Sequence, residues 1–353
     1  MSRLGPYNQR QIDGDFVLTE LQKLGNLVFA PKFHLTKEWV LHGDSLSGTG
    51  FPWTPLGDFI RDITNTTYTN NAIGGRCIEY PVVEDDLMAA LMTDFSLANK
   101  STVCQFGVND YRSLLTLYKN QYAYQQNALS TLLTLSVPQN KIITAQEFEI
   151  RTGTWVDFAA RPWALQNTSR AGSYIETTVV GRFISVCFIL LSDASNNLWS
   201  INVDGVEVNY NTIPKLVGEN FGQSFSVLID TGESGPHVLR IVARGAGGAG
   251  SQWVDYACAF DYNDPDARNV LMVLPYVYDY QGRGDTGGSI DDYNIVMGGL
   301  KNAAEACKKA GLPVFLYQPD NASVLYRDDF IHPTSTSLNI LAKDIVKGIT
   351  YAE

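Results

Sequence analysis

Short apolar runs that break off at polar, glycine-bearing turns recur through the first third of the chain. Trp39-Val40-Leu41 runs into Gly43-Asp44-Ser45 and TVCQF into Gly107-Val108-Asn109-Asp110, and between them TYTNNAIGG reads as a strand and turn ending at Gly74-Gly75. Buried strands of a parallel sheet read this way, because both of their faces are covered. Between them the period is helical. PLGDFIRDITN covers residues 55–65, and Leu87, Met88, Leu91, Met92 and Phe95 share a face within 83–97. A long helical pattern runs from Tyr111 to Val137 and stops at Pro138. A shorter helix is expected over 15–26. The order βαβαβα predicts a parallel sheet with helices on both faces.

The texture then changes. From 138 to 267 the helical period gives way to alternating, β-branched segments such as TTVVGRFISVCFILL, LWSINVDGVEVNY and HVLRIVAR. Asp204-Gly205, flanked by alternating residues, is a hairpin signal. An all-β sandwich is expected there. Helical and strand texture alternate again from Asn269. NVLMVLPYVY and LPVFLYQP read as strands. Ser289 caps a helix with Asp292 three residues on, Tyr293, Met297, Leu300, Ala304 and Cys307 on one face, and Gly311 at its end. A last helix runs through SLNILAKDIVKGI. The predicted organisation is one α/β domain in two pieces, 1–137 and 268–353, interrupted by a β domain over 138–267.

Composition narrows the function. Of 353 residues 45% are apolar and 18% charged, which predicts a folded chain with sizeable cores. The net charge of −11 opposes nucleic-acid binding, which needs clustered Lys and Arg. No apolar run is long enough for a transmembrane helix. MSRLGPYNQRQIDGDF lacks the apolar core of a signal peptide, so a cytoplasmic or virion-associated place is expected. The cysteines, Cys77, Cys104, Cys187, Cys258 and Cys307, are scattered through apolar segments and read as buried free thiols. No metal-ligand spacing occurs among them.

In a parallel sheet, ligands bind beyond the carboxyl ends of the strands. Ser45, Gly74-Gly75 and Gly107–Asp110 fall at such ends, and DDFIHPT (Asp328–Thr334) precedes the last helix. A serine needs a base to become a nucleophile. Of the four histidines, His332 is best placed, with Asp329 three residues before it to hold the imidazole. The Ser45 N–H, a glycine N–H and the Asn109 amide would stabilise an oxyanion. Asn109 would otherwise cap the following helix. His42, within a strand, reads as packed, and His34 and His237 as ordinary polar residues.

GDSLS, NNAIGG, GVND and DFIH, in that order, resemble the SGNH (GDSL-type) hydrolases. The resemblance covers roughly 38–137 and 268–350. It implies a flavodoxin-like αβα sandwich, with Ser45 as nucleophile, His332 as base and Asp329 as its orienting acid. It also implies an oxyanion hole from Ser45, Gly75 and Asn109, and no metal or organic cofactor. The second motif has Ala72 where the family has a glycine, which leaves Gly74 open as the donor beside Gly75. Asp328 competes with Asp329 on position alone.

WSINVDGVEV followed by GPHVLRIVARG also resembles the jelly-roll module that accompanies some carbohydrate O-acetylesterases. Comparable insertions occur in SGNH proteins of phage tails. Trp155, Trp163, Trp199 and Trp253 lie in or beside the insertion, as a sugar-stacking surface or as core. GAGGAG (245–250) follows a strand but precedes an alternating segment, so it fails as a dinucleotide fingerprint. RGD at 283–285 carries no weight. The expected function is a serine esterase that removes O-acetyl groups from a glycan, with no nucleic-acid partner and no membrane insertion, as a monomer or homo-oligomer. Two other readings stay open: an esterase for lipid or small acyl substrates, and a glycan-binding structural protein such as a phage tail component.

Overall fold

The computed structural model describes residues 32–49, 53–78, 100–112, 121–158, 161–168, 172–190, 199–208, 223–244, 252–276, 289–319 and 332–351. The expected helices over 15–26 and 83–97 lie outside these. Residues 33–353 form one compact unit.

Five strands pair in parallel: β2 (Glu38–Gly43), β3 (Thr67–Asn70), β4 (Ser101–Gln105), β16 (Val270–Val273) and β17 (Val314–Tyr317), in the order β17-β16-β4-β2-β3. All of β4 and β16 is buried, and all of β2 except Glu38. Helix α1 (Leu56–Thr64) packs on α5 (Ser335–Gly348), and α3 (Gln121–Ser136) on α4 (Ile290–Lys309). The Ser289–Asp292 capping box is present, and Gly311 takes φ +83 just past the helix end. A short strand, β1 (His34–Leu35), pairs in parallel with β18 (Thr350–Tyr351).

Strands β5 (Ile142–Thr144), β7 (Trp155–Phe158), β8 (Arg161–Asn167), β10 (Phe183–Leu190), β13 (Gln223–Asp230) and β15 (Gln252–Phe260) form an antiparallel sheet. β6 (Ile150–Thr152), β9 (Tyr174–Val180), β11 (Trp199–Val203), β12 (Val206–Val208) and β14 (Pro236–Ala243) form a second. Asp204 and Gly205 take φ of 53° and 80° between β11 and β12. That is the turn whose twist suits a two-residue hairpin. The residues between the two antiparallel sheets are apolar and buried, Ile175, Ile184, Phe188, Leu239 and Ile241 among them.

The expected fold class is corrected here. The α/β, flavodoxin-like description does not fit the described chain, which is mostly β. It holds five α-helices among the described residues, and the six- and five-stranded antiparallel sheets carry more strand than the parallel one. The physical reason is length. The antiparallel strands reach eight and nine residues in β10, β13, β14 and β15. The parallel strands span four to six.

The six-stranded sheet turns its other face to α3. Tyr256 on β15 meets Thr134 Oγ1 at 2.7 Å and donates to the Ser130 carbonyl at 3.1 Å. Asn127 Nδ2 donates to the Ser224 carbonyl at 3.1 Å. Cys187 and Tyr256 share a core with Leu132, Val273 and Leu300. Beyond its exposed start helix α3 is therefore buried all round, and its residues 126–136 are buried without a break. Its buried hydroxyls on Ser130, Thr134 and Ser136 bond back to carbonyls one turn earlier.

The end of α3 is closed by Arg268, which is 6% exposed. Its guanidinium donates to the Thr134 and Val137 carbonyls at 2.5 and 2.9 Å, and its backbone N–H to Ser136 at 2.8 Å. A cation there satisfies orphan carbonyls and the negative end of the helix. Burial lowers its pKa to about 10, which leaves it charged. Arg268→Ala is expected to cost about 2 kcal/mol, the scale of hydrogen bonds to a charged group. A lowered urea midpoint with an unchanged m-value would show it.

All five cysteines are free and buried, as expected. Burial pushes the Cys258 thiol up to about 12. Among the described residues no helix is long and apolar enough to cross a membrane.

Candidate active site

Strand β2 ends where its neighbour allows no side chain. A Cβ on Gly43 would sit 2.9 Å from the Gln105 carbonyl and 3.2 Å from the Ser47 Cβ. One residue on, the Asp44 N–H still donates to Gln105 O at 3.2 Å. The chain then turns. Asp44 Oδ1 accepts from the Leu46 N–H at 3.0 Å, and its carbonyl from the Ser47 N–H at 3.1 Å. This turn carries Ser45, which is 8% exposed.

His332 arrives just before α5, whose first turn is capped by Thr334. Its Nε2 lies 2.8 Å from Ser45 Oγ. Two residues 287 positions apart in sequence thus lie within hydrogen-bond distance, the separation expected of a serine and the base that would activate it. Asp329 and the competing Asp328 lie outside the described residues.

The second motif runs on beside β2. Asn71 N–H donates to Leu41 O at 2.8 Å and Ile73 N–H to Gly43 O at 3.0 Å. Asn70 Nδ2 donates to Ser47 O at 2.8 Å. Gly75 follows in an exposed turn at φ +83, a conformation only glycine adopts without strain. The third motif is fastened to the residues after it. Asn109 Nδ2 donates to Arg76 O at 3.1 Å, and Asp110 Oδ1 accepts from the Ile78 N–H at 3.1 Å. Asn109 lies inside a short helix, α2 (Val108–Arg112), which begins three residues earlier than the pattern from Tyr111 implied. Among the described residues Ser45 and His332 touch directly. Gly75 and Asn109 are linked to each other through Arg76.

Sequence reasoning missed Trp53. Its ring stacks on the His332 imidazole at 4.2 Å between centroids and 24° between planes. Its Nε1 donates to the Ser45 carbonyl at 3.2 Å. One buried side chain therefore touches both members of the pair. The only sequence signal was an aromatic residue in the glycine- and proline-bearing segment GTGFPW after the serine. Trp53→Ala is expected to lower kcat by about tenfold with KM little changed, and Trp53→Phe to recover most of it by restoring the stack. Equal kcat in all three proteins would remove Trp53 from the site.

Two carboxyls behind the serine are held out of water. Burial raises the Asp44 pKa to about 8, against the Leu46 N–H, and the neighbouring Asp110 raises it further. Burial raises Asp110 to about 7, against hydrogen bonds from the Ile78 and Gly107 backbones. His42 is buried within β2; burial, then the charge of Arg268, lowers its pKa to about 4. It is packed, as expected. His34 meets Thr350 Oγ1 at 3.2 Å and His237 meets Asp204 Oδ2 at 2.7 Å, both away from Ser45.

The tryptophans of the insertion divide. Trp199 and Trp253 are buried, and Trp199 stacks on Phe188 at 5.1 Å. Trp155 and Trp163 are half-buried, with their N–H groups on Thr152 O and Asp255 Oδ1. Trp199 and Trp155 pack the core between the two sheets, whereas Trp253 and Trp163 pack with Ala164 and Ile189 in a separate small cluster. GAGGAG and RGD lie outside the described residues, but 252–260 after GAGGAG is strand, as the failed fingerprint implied.

No protein-family model matches the chain, and no curated protein does. Solved structures similar to it include a two-domain esterase (CEX) active on acetylated mannans, co-crystallised with mannopentaose. It is 14% identical over 68% of this chain and 94% of that one, with a TM-score of 0.35. A family 35 carbohydrate-binding module from Paenibacillus barcinonensis is 18% identical over 33% of this chain and 94% of its own, at 0.27. Carbohydrate-binding module CBM36, in complex with calcium and xylotriose, is 15% identical over 33% and 96%, at 0.26.

Proposed function

We propose that the chain is a serine carboxylic-ester hydrolase of the SGNH type that removes O-acetyl groups from a glycan. The observation that supports it is the 2.8 Å approach of His332 Nε2 to Ser45 Oγ at the end of β2. In this reading Ser45 attacks the ester carbonyl while His332 takes its proton. The oxyanion is met by the Ser45 and Gly75 N–H groups and by the second N–H of the Asn109 amide, whose first is on Arg76 O. His332 returns the proton to the leaving alcohol. It then activates the water that releases the acid. Asp329 orients His332, and no cofactor takes part. The hydrolase portion comprises 1–137 and 268–353, with 138–267 as the insertion.

The glycan rests on the likeness of the insertion's sequence to modules of carbohydrate O-acetylesterases. Side-by-side hydrolysis of p-nitrophenyl acetate and p-nitrophenyl octanoate, followed by acetate release from acetylated mannan, tests it. Acetate preference and release from the polymer are the expected results, whereas octanoate preference moves the substrate to lipids. Asn109→Ala is expected to lower kcat on p-nitrophenyl acetate by about 10²–10³, the scale for one oxyanion donor. An unchanged kcat removes Asn109 from the oxyanion hole.

A further inference from the structure

The outward face of the β12-β11-β14-β9-β6 sheet carries a cleft of about 420 Å³. Along β9 and β14 the side chains alternate, so Ile175, Leu239 and Ile241 fill the core while Tyr174, Glu176, Arg240 and Val242 turn away from it. The strand register sets Glu176, Arg240 and Asn202 in one row across three strands. At the usual strand spacing such a row is about 10 Å long. Arg240 is fixed twice, by Nε to Glu176 Oε2 at 2.5 Å and by its guanidinium 4.3 Å over the Tyr174 ring. Val238 and Val242 flank it on its own strand.

From this we infer that the face is a binding site for a neutral oligosaccharide, separate from the Ser45 site and independent of its chemistry. The charges decide the ligand class. Arg240 is paired with Glu176, and Arg244 with Glu207 at 3.0 Å, so the cleft offers no net charge to a phosphate or a uronate. It does offer planar donors in fixed places. A guanidinium has five N–H groups, and apart from Nε those of Arg240 have no hydrogen-bond partner among the described residues. The Asn202 amide adds donors and an acceptor in the same row. Hydroxyls in a row, with C–H faces against Val238 and Val242, complement that surface, and a disaccharide unit spans it. No tryptophan is among the residues lining this cleft, so sugar contact on this face falls to the Tyr174–Arg240 pair.

The test uses the full chain carrying Ser45→Ala, so that binding is read without turnover. Calorimetric titration with β-1,4-linked hexasaccharides of mannose, xylose and glucose is set beside hexagalacturonate. At least one neutral probe is expected to bind and the acidic one to fail. Arg240→Ala and, with the ion pair intact, Asn202→Ala should each raise Kd about tenfold. Arg182→Ala, which removes an exposed pair with Asp230, should not. Melting temperatures verify folding. Preference for the acidic probe, no binding by any neutral one, or cleft variants that bind like the parent would each overturn the inference. Loss of esterase activity in the wild type would overturn the catalytic reading and leave this one standing.

Discussion

Ser45→Ala is expected to lower hydrolysis of p-nitrophenyl acetate by at least about 10⁴-fold while leaving the melting temperature within about a degree. The first half follows from the proposed chemistry: without Oγ there is no acyl-enzyme. His332 could then act only on water, and oxyanion donors alone leave a small residual rate. The second half follows from how the turn is built. The turn is closed by Asp44 Oδ1 on the Leu46 N–H and by the Asp44 carbonyl on the Ser47 N–H. Trp53 uses the Ser45 carbonyl, not its hydroxyl. Alanine preserves every one of these bonds. His332→Ala should cost a similar factor, and the double variant little more, because the two act as one unit. Equal rates for wild type and Ser45→Ala would make Ser45 a turn residue. The 2.8 Å bond to His332 would then be structural.

Ser45 was legible because it sits where an apolar run stops, and a strand's carboxyl end is where a parallel sheet exposes its residues, while His332 was legible from Asp329 three residues before it and its place just before the last helix. The boundaries of α1, the capping box at Ser289 and the hairpin at Asp204-Gly205 were legible for local reasons: each is settled by residues within a few positions. Trp53 was not, because its partners are 8 and 279 residues away and nothing in GTGFPW selects them. The fold class was misread for a different reason. Sequence pattern ranked the parallel strands first because they carry the motifs, whereas the longer alternating strands of 138–267 make up more of the described chain. Helix α3 shows a third limit. Its Ser, Thr and Asn residues are polar positions that the six-stranded sheet covers, and bonds back along the helix from Ser130, Thr134 and Ser136, with bonds from Asn127 to Ser224 O and Thr131 to Ile78 O, are what makes burial tolerable.

Stability should rise, not fall, as the pH is lowered from about 8.5 to about 6. Asp44 and Asp110 have folded pKa values of about 8 and about 7, each raised by burial above the ordinary carboxylate value of 3.8. Across that interval the native state holds protons that the unfolded chain has released, so stability falls with rising pH. Their contribution is complete below the unfolded pKa and is lost as pH climbs through the folded ones. His42 works the other way. Its folded pKa of about 4 lies below 6.5, so it costs stability only as pH falls from 6.5 toward 4. The exposed Asp230–Arg182 pair, whose bond lowers the Asp230 pKa, weakens only in stronger acid, whereas the Asp204–His237 pair also weakens as rising pH takes the proton from His237, whose pKa the Asp204 bond raises. Among the described residues His42 therefore does not oppose the two buried acids above pH 6.5, and exposed His237 adds to their trend. Each tenfold gain in proton affinity on folding is worth about 1.4 kcal/mol, so together they contribute on the order of several kcal/mol. Melting temperatures at pH 8.5, 7.5 and 6.5 should climb in that order. Asp44→Asn retains the acceptor for the Leu46 N–H but cannot ionise, so it should raise the melting temperature at pH 8.5 and flatten the slope. A flat profile in the wild type would mean that both carboxyls are ionised in the folded protein. The turn that carries Ser45 would then rest on a charge rather than on a neutral acid.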